Sequence, residues 1–116
     1  MQYIKRISET PSFSKKGIDG YNLNLENKNL EINIIDSYKG HEKYCTNKLS
    51  THIYYILSGN GKFKINGNIY DVRIGDFVEI PANTEFVYSG KMKMILIMNP
   101  PFNENNNIDG KENDLY

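Results

Sequence analysis

The residues of this chain best suited to acid, base or nucleophile chemistry sit in one short stretch: His41, Cys45, Lys48 and His52. His52 is the candidate catalytic group, because an imidazole titrates near neutrality and can take or give a proton. Lys48, if it points inward, offers an ammonium to an anionic ligand such as a carboxylate or phosphate. His41 follows Gly40 and precedes Glu42, which reads as an exposed loop. Cys45 reads as a small buried or half-buried side chain, since no neighbouring His-Asp pattern is present to activate its thiol. Tyr54 and Tyr88 read first as packing residues whose hydroxyls need partners if buried.

The elements that must position these groups are strands. Tyr21 to Glu26 alternates as Tyr-Asn-Leu-Asn-Leu-Glu, and Leu30 to Ile35 is a second β-rich run. Ser50 to Leu57 contains Ile53, Tyr54, Tyr55 and Ile56, the β-branched and aromatic types that suit a pleated surface. Lys62 to Ile65 leads into Asn66-Gly67, a strong hairpin signal because both residues tolerate positive φ. Ile69 to Ile74, Phe77 to Ile80, Glu85 to Tyr88 and Met92 to Met98 complete the set. Turns recur every ~8–12 residues with no sustained helical stretch, the pattern of an all-β sandwich or barrel.

Composition narrows the function classes. The chain has 116 residues, enough for one core, with 39% hydrophobic and 24% charged residues. Its 14 basic and 14 acidic side chains cancel to a formal net charge of zero. That argues against nucleic acid as a partner, which needs a basic excess, and against attraction to anionic lipid. No apolar run approaches the ~20 residues of a membrane helix. A single cysteine excludes an internal disulfide, and with no signal segment in view the expected location is cytoplasmic.

One constellation is more specific. Gly40, Thr46, Lys48, His52 and Gly59 follow the spacing Gly, five residues, His-x-His, three or four residues, Glu, six residues, Gly. Downstream, Gly75-Asp76-Phe77-Val78-Glu79-Ile80-Pro81 opens a second motif, which continues through Asn83, Phe86 and Gly90. Together with the apolar strand ending in Gly59-Asn60-Gly61, residues 40 to 98 resemble the cupin superfamily. The resemblance implies an all-β, small single-domain cupin, a double-stranded β-helix or jelly-roll barrel. Composition divides the chain into an N-terminal arm or strand at 1–20, the barrel at 21–102 and a polar, Asn- and Asp-rich C-terminal tail, open to disorder, at 103–116.

Cupin metal sites use two histidines and a glutamate from the first motif and a histidine from the second. The matching positions here hold Thr46, Lys48, His52 and Phe86, of which only His52 is a good ligand, so neither metal nor other cofactor is expected. If His52 points inward as its family counterpart does, strand alternation brings Thr46, Lys48 and Tyr54 to the same face. The same logic turns Phe86, Tyr88 and Met94 inward. These six residues form the expected substrate-binding set around His52, with Glu79 and Glu85 at the mouth or on the surface. A small-molecule-binding cupin follows, working without metal, as either a binding protein or an acid/base isomerase, epimerase or lyase on a small anionic or sugar-derived metabolite. The alternatives are a metal-dependent dioxygenase or isomerase with an atypical ligand set, and a non-catalytic sensor or assembly domain. Whether the chain turns anything over stays open at this level. Unpaired edge strands and the family resemblance imply a homodimer.

Overall fold

The computed structural model describes residues 1–116 as an antiparallel barrel of ten strands. These are β1 (Phe13–Lys15), β2 (Ile18–Asn22), β3 (Glu31–Ser37), β4 (Lys43–Asn47), β5 (Thr51–Ile65), β6 (Asn68–Arg73), β7 (Phe77–Ile80), β8 (Phe86–Ser89), β9 (Met92–Asn99) and β10 (Asn107–Glu112). A single 3-10 turn covers Glu104–Asn106. No helix is long and apolar enough to cross a membrane. The all-β cupin architecture is therefore realised.

β5 organises the molecule. Its first half pairs with β9 and β7, and its second half pairs with β8 and β6, so one strand belongs to both walls. The crossing point is a register shift between Ile56 and Ser58, followed by Gly59 at φ 80°. A Cβ on Gly59 would lie 2.2 Å from the Lys91 carbonyl oxygen, so only glycine lets the strand bend here. The glycine-rich Gly59-Asn60-Gly61 segment, which reads as a turn between two strands, is thus a fold within one strand. Asn66 and Gly67, at φ 49° and 84°, make the expected tight hairpin to β6.

One wall runs β1-β2-β3-β9-β5-β7 and the other β6-β5-β8-β4-β10. Alternation on β9 buries Met92, Met94, Leu96 and Met98, as its lysine at position 93 predicts. These methionines join Ile35, Ile56, Phe63 and Tyr88 in a continuous core between the walls. The C-terminal segment departs from expectation. Residues 107–112 form β10 on the edge of β4, so the tail at 103–116 is part of the barrel. The first strands lie earlier than the alternation suggests, with β1 and β2 both inside the 1–20 segment or starting there.

Candidate functional site

Two inward-facing rows cross the first wall. Asn22 pairs with Asn33, Asn33 with Leu96 and Leu96 with Tyr54, while Glu31 pairs with Met98 and Met98 with His52. From the second wall Phe86 pairs with Cys45, and Tyr88 pairs with Phe63. Between the walls lies a cavity of about 400 Å³, lined by His41, Cys45, His52, Tyr54, Phe86 and Tyr88 among others. Glu31, Asn33 and Asn22 supply its polar end on β2 and β3, and Phe13 and Lys15 of β1 reach its mouth. This volume suits a small metabolite.

His52, Tyr54, Phe86 and Tyr88 all come together here, as the sequence suggests. His52 is buried, with the Phe86 ring edge-on at 5.1 Å and the Tyr54 ring near-parallel at 6.2 Å. Burial among these rings pushes its pKa down to about 4, with the Ser50 backbone opposing, so the imidazole is neutral at physiological pH. The Tyr54 and Tyr88 rings meet edge to face at 5.5 Å. Burial raises both phenols, and no hydrogen bond contributes to either shift. Both are therefore protonated donors whose hydroxyls are uncommitted to protein groups.

Three expected residues lie elsewhere. Lys48 is exposed, and Thr46 is half-buried on the face of β4 opposite to Cys45. The reason is a turn: β4 ends at Asn47, whose Oδ1 accepts hydrogen bonds from the N–H groups of Leu49 at 3.0 Å and Ser50 at 2.7 Å. That turn breaks the alternation that would otherwise carry from Thr46 to His52. Met94 does face inward, yet it is wholly buried in the core and does not line the cavity.

His41 replaces them. The expected exposed loop residue is half-buried and lines the cavity, 6.1 Å from Tyr88 between ring centroids. Its Nδ1 lies 2.7 Å from the Lys43 carbonyl oxygen and 3.4 Å from the Lys43 backbone nitrogen, and the shorter contact, to an atom that only accepts, makes Nδ1 the donor. The neutral ring thus keeps its lone pair on Nε2. Burial lowers its pKa, with the Lys43 carbonyl opposing. The loop is held from behind by the C-terminal tail. Asn113 Nδ2 donates to the carbonyls of His41 at 2.8 Å and Tyr88 at 2.9 Å, and the Tyr116 hydroxyl donates to Gly40 at 2.8 Å. Cys45 is buried, and its thiol is pushed up to about 12 by burial, so it stays protonated.

The residues do not fit a metal. Of the four positions where cupins carry ligands, Lys48 points to solvent and Phe86 has no donor. No three His, Cys, Asp or Glu side chains gather closely enough to hold an ion.

Comparison with known proteins extends this picture. No protein-family model and no curated protein matches the chain. Among solved structures it is similar to Pac13 of Streptomyces, described as a nucleoside dehydratase. Identity is 28%, 97% of this chain and 93% of that one are covered, and the TM-score is 0.89. Three variants of that protein have been solved with uridine, one with histidine changed to glutamine and two with tyrosine changed to phenylalanine. The changed residues are spaced along that chain as His41, Tyr54 and Tyr88 are along this one. Ectoine synthase from P. lautus (17% identity, 97% and 92% covered, TM-score 0.79) and KdgF from Halomonas sp. (14%, 82% and 89%, 0.71) share the fold. With the barrel, the two motifs and the shared fold in place, the chain is a member of the cupin superfamily.

Proposed function

We propose that this cupin is a lyase that eliminates water from a nucleoside or closely related sugar derivative, using side chains alone. The observation that carries this reading is the convergence of His41 with two uncommitted phenols, Tyr54 and Tyr88, on one cavity. Elimination of water needs a base for a C–H proton and a donor for the departing hydroxyl. His41, neutral and basic at Nε2, takes the proton from a carbon made acidic by an adjacent carbonyl. One phenol hydrogen-bonds to that carbonyl oxygen as negative charge develops, and the other donates to the leaving oxygen. The C–O bond breaks, a C=C bond forms, and the proton and hydroxyl leave as water, so no oxidant or reductant is consumed. His52, which burial keeps neutral, serves as an aromatic wall beside Phe86. The likeness to Pac13, with the matched spacing of its changed histidine and tyrosines, supports the assignment.

The test is turnover. Uridine and uridine oxidised to an aldehyde or ketone on the ribose are incubated with the protein, with and without chelator, and products are read by mass spectrometry. Loss of one water that persists in chelator and falls at least a hundredfold in His41→Gln is the expected result. No loss of water from any of these, or activity only with added metal, overturns the reading.

We further propose a homodimer built on the outer face of the first wall. Tyr21, Ile34, Ile95, Tyr55 and Phe77 stand in one row across five strands. Ile32, Ile97 and Ile53 stand in the next. Phe77 is 71% exposed. Eight apolar side chains in two adjacent rows, ending on Glu79 opposite Ile53, suit contact with a second copy better than contact with water.

A further inference from the structure

Glu31, Asn33 and Asn22 form a hydrogen-bonded ladder in the cavity lining, on β2 and β3, which carry none of His41, Tyr54 and Tyr88. Asn33 Nδ2 donates to Glu31 Oε2 at 2.7 Å, Asn22 Nδ2 donates to Asn33 Oδ1 at 3.0 Å, and Asn22 Oδ1 accepts from the Asn24 N–H at 2.6 Å. The direction of this chain is fixed, because a carboxylate can only accept and each amide must therefore turn its nitrogen toward Glu31. Asn33 is only 2% exposed, so its orientation is locked by packing as well as by hydrogen bonds. What remains unspent is the second oxygen of Glu31 and the second N–H of Asn33. They leave an acceptor and a donor on two side chains already joined by a 2.7 Å hydrogen bond.

We infer that this pair reads the edge of a nucleobase, accepting from its ring N–H through Glu31 and donating to the neighbouring carbonyl through Asn33. The inference rests on the proposed function, which puts the reacting sugar at His41, Tyr54 and Tyr88 and so leaves the ladder to the other end of the ligand. Asn33 and Tyr54 lie on the same inward row with one strand, β9, between them. Two strand spacings amount to about 9–10 Å, a span that a nucleoside laid across the row can bridge. Uracil presents adjacent N–H and C=O groups and matches the pair. A ribose cis-diol carries the same donor–acceptor chemistry, and the experiment separates the two.

Calorimetric titration of the wild-type protein with uridine, N3-methyluridine and 2′-deoxyuridine decides the matter, with uridine also titrated into Glu31→Gln. Methylation at N3 is expected to weaken binding at least tenfold, the size of one lost charge-assisted hydrogen bond, while 2′-deoxyuridine stays within threefold of uridine. Glu31→Gln, with its melting temperature checked against wild type and titrated with N3-methyluridine as well, is expected to weaken uridine by the same factor and to erase the difference between uridine and N3-methyluridine. Equal affinity for uridine and N3-methyluridine in the wild type overturns the inference and leaves the dehydration reading standing. So does a large loss with 2′-deoxyuridine alone, which would give the ladder to the sugar. No binding of uridine at all overturns both.

Discussion

His52 carries a consequence for stability that can be worked out from its surroundings. Its folded pKa, about 4, lies below its ordinary 6.5 because protonation inside the aromatic wall costs solvation. The unfolded chain therefore binds the proton more readily, and folding is favoured most above pH 6.5. Stability is lost as pH falls from 6.5 toward 4, by up to ~3 kcal/mol for a shift of this size. Chemical denaturation across that range measures it, and His52→Gln is expected to flatten this part of the profile. The inward direction of His52, Tyr54, Phe86 and Tyr88 is legible in the sequence because each sits on a regular strand. His41 was hidden because nothing in Gly40-His41-Glu42 reveals that a tail some seventy residues away will fold behind it. Glu31 and Asn33 were hidden by an inverted pattern. In Glu31-Ile32-Asn33-Ile34 the polar residues face the cavity and the isoleucines face out, against the usual assignment of a half-buried strand.

At the scale of elements, β10 and the residues after it are where sequence and structure diverge most. Their Asn- and Asp-rich composition suggests a loose tail. Yet Asn113 is buried, its side chain bridges two carbonyls from separate segments, and its N–H donates to Glu42 at 2.9 Å. The composition is polar because these residues satisfy backbone groups rather than fill a core. Asn113→Ala leaves two buried carbonyls without that donor and is expected to destabilise the fold by about 2–3 kcal/mol, read by denaturant unfolding. With His41 and Tyr88 both held by this amide, kcat should fall more than KM rises. An unchanged kcat would show that the loop keeps its geometry without the bridge. The turn after β4 makes the converse point: Asn47 caps it and sends Lys48 to solvent, which removes the inward ammonium that an anionic ligand would have needed.

At the scale of the whole molecule, the cupin motifs fixed the barrel from residues 40 to 98 because glycine and proline positions there answer to backbone geometry, as Gly59 does at the bend of β5. The chemistry inside was less legible, since it depends on which face each strand presents. The outer face of the first wall yields a prediction of its own. Size-exclusion chromatography with light scattering at tens of micromolar should give twice the 13.4 kDa chain mass, and Ile95→Glu, in the middle of the apolar row, should give the monomer. A wild-type monomer at that concentration would mean that the face is covered in some other way or tolerated bare.

A crystal structure of the wild-type protein with uridine shows most directly what the cavity holds. The predicted result is a nucleoside with its ribose against His41, Tyr54 and Tyr88 and its base edge on Glu31 and Asn33. A uridine-free cavity at saturating ligand, or a metal ion coordinated by His52 in its place, would contradict it.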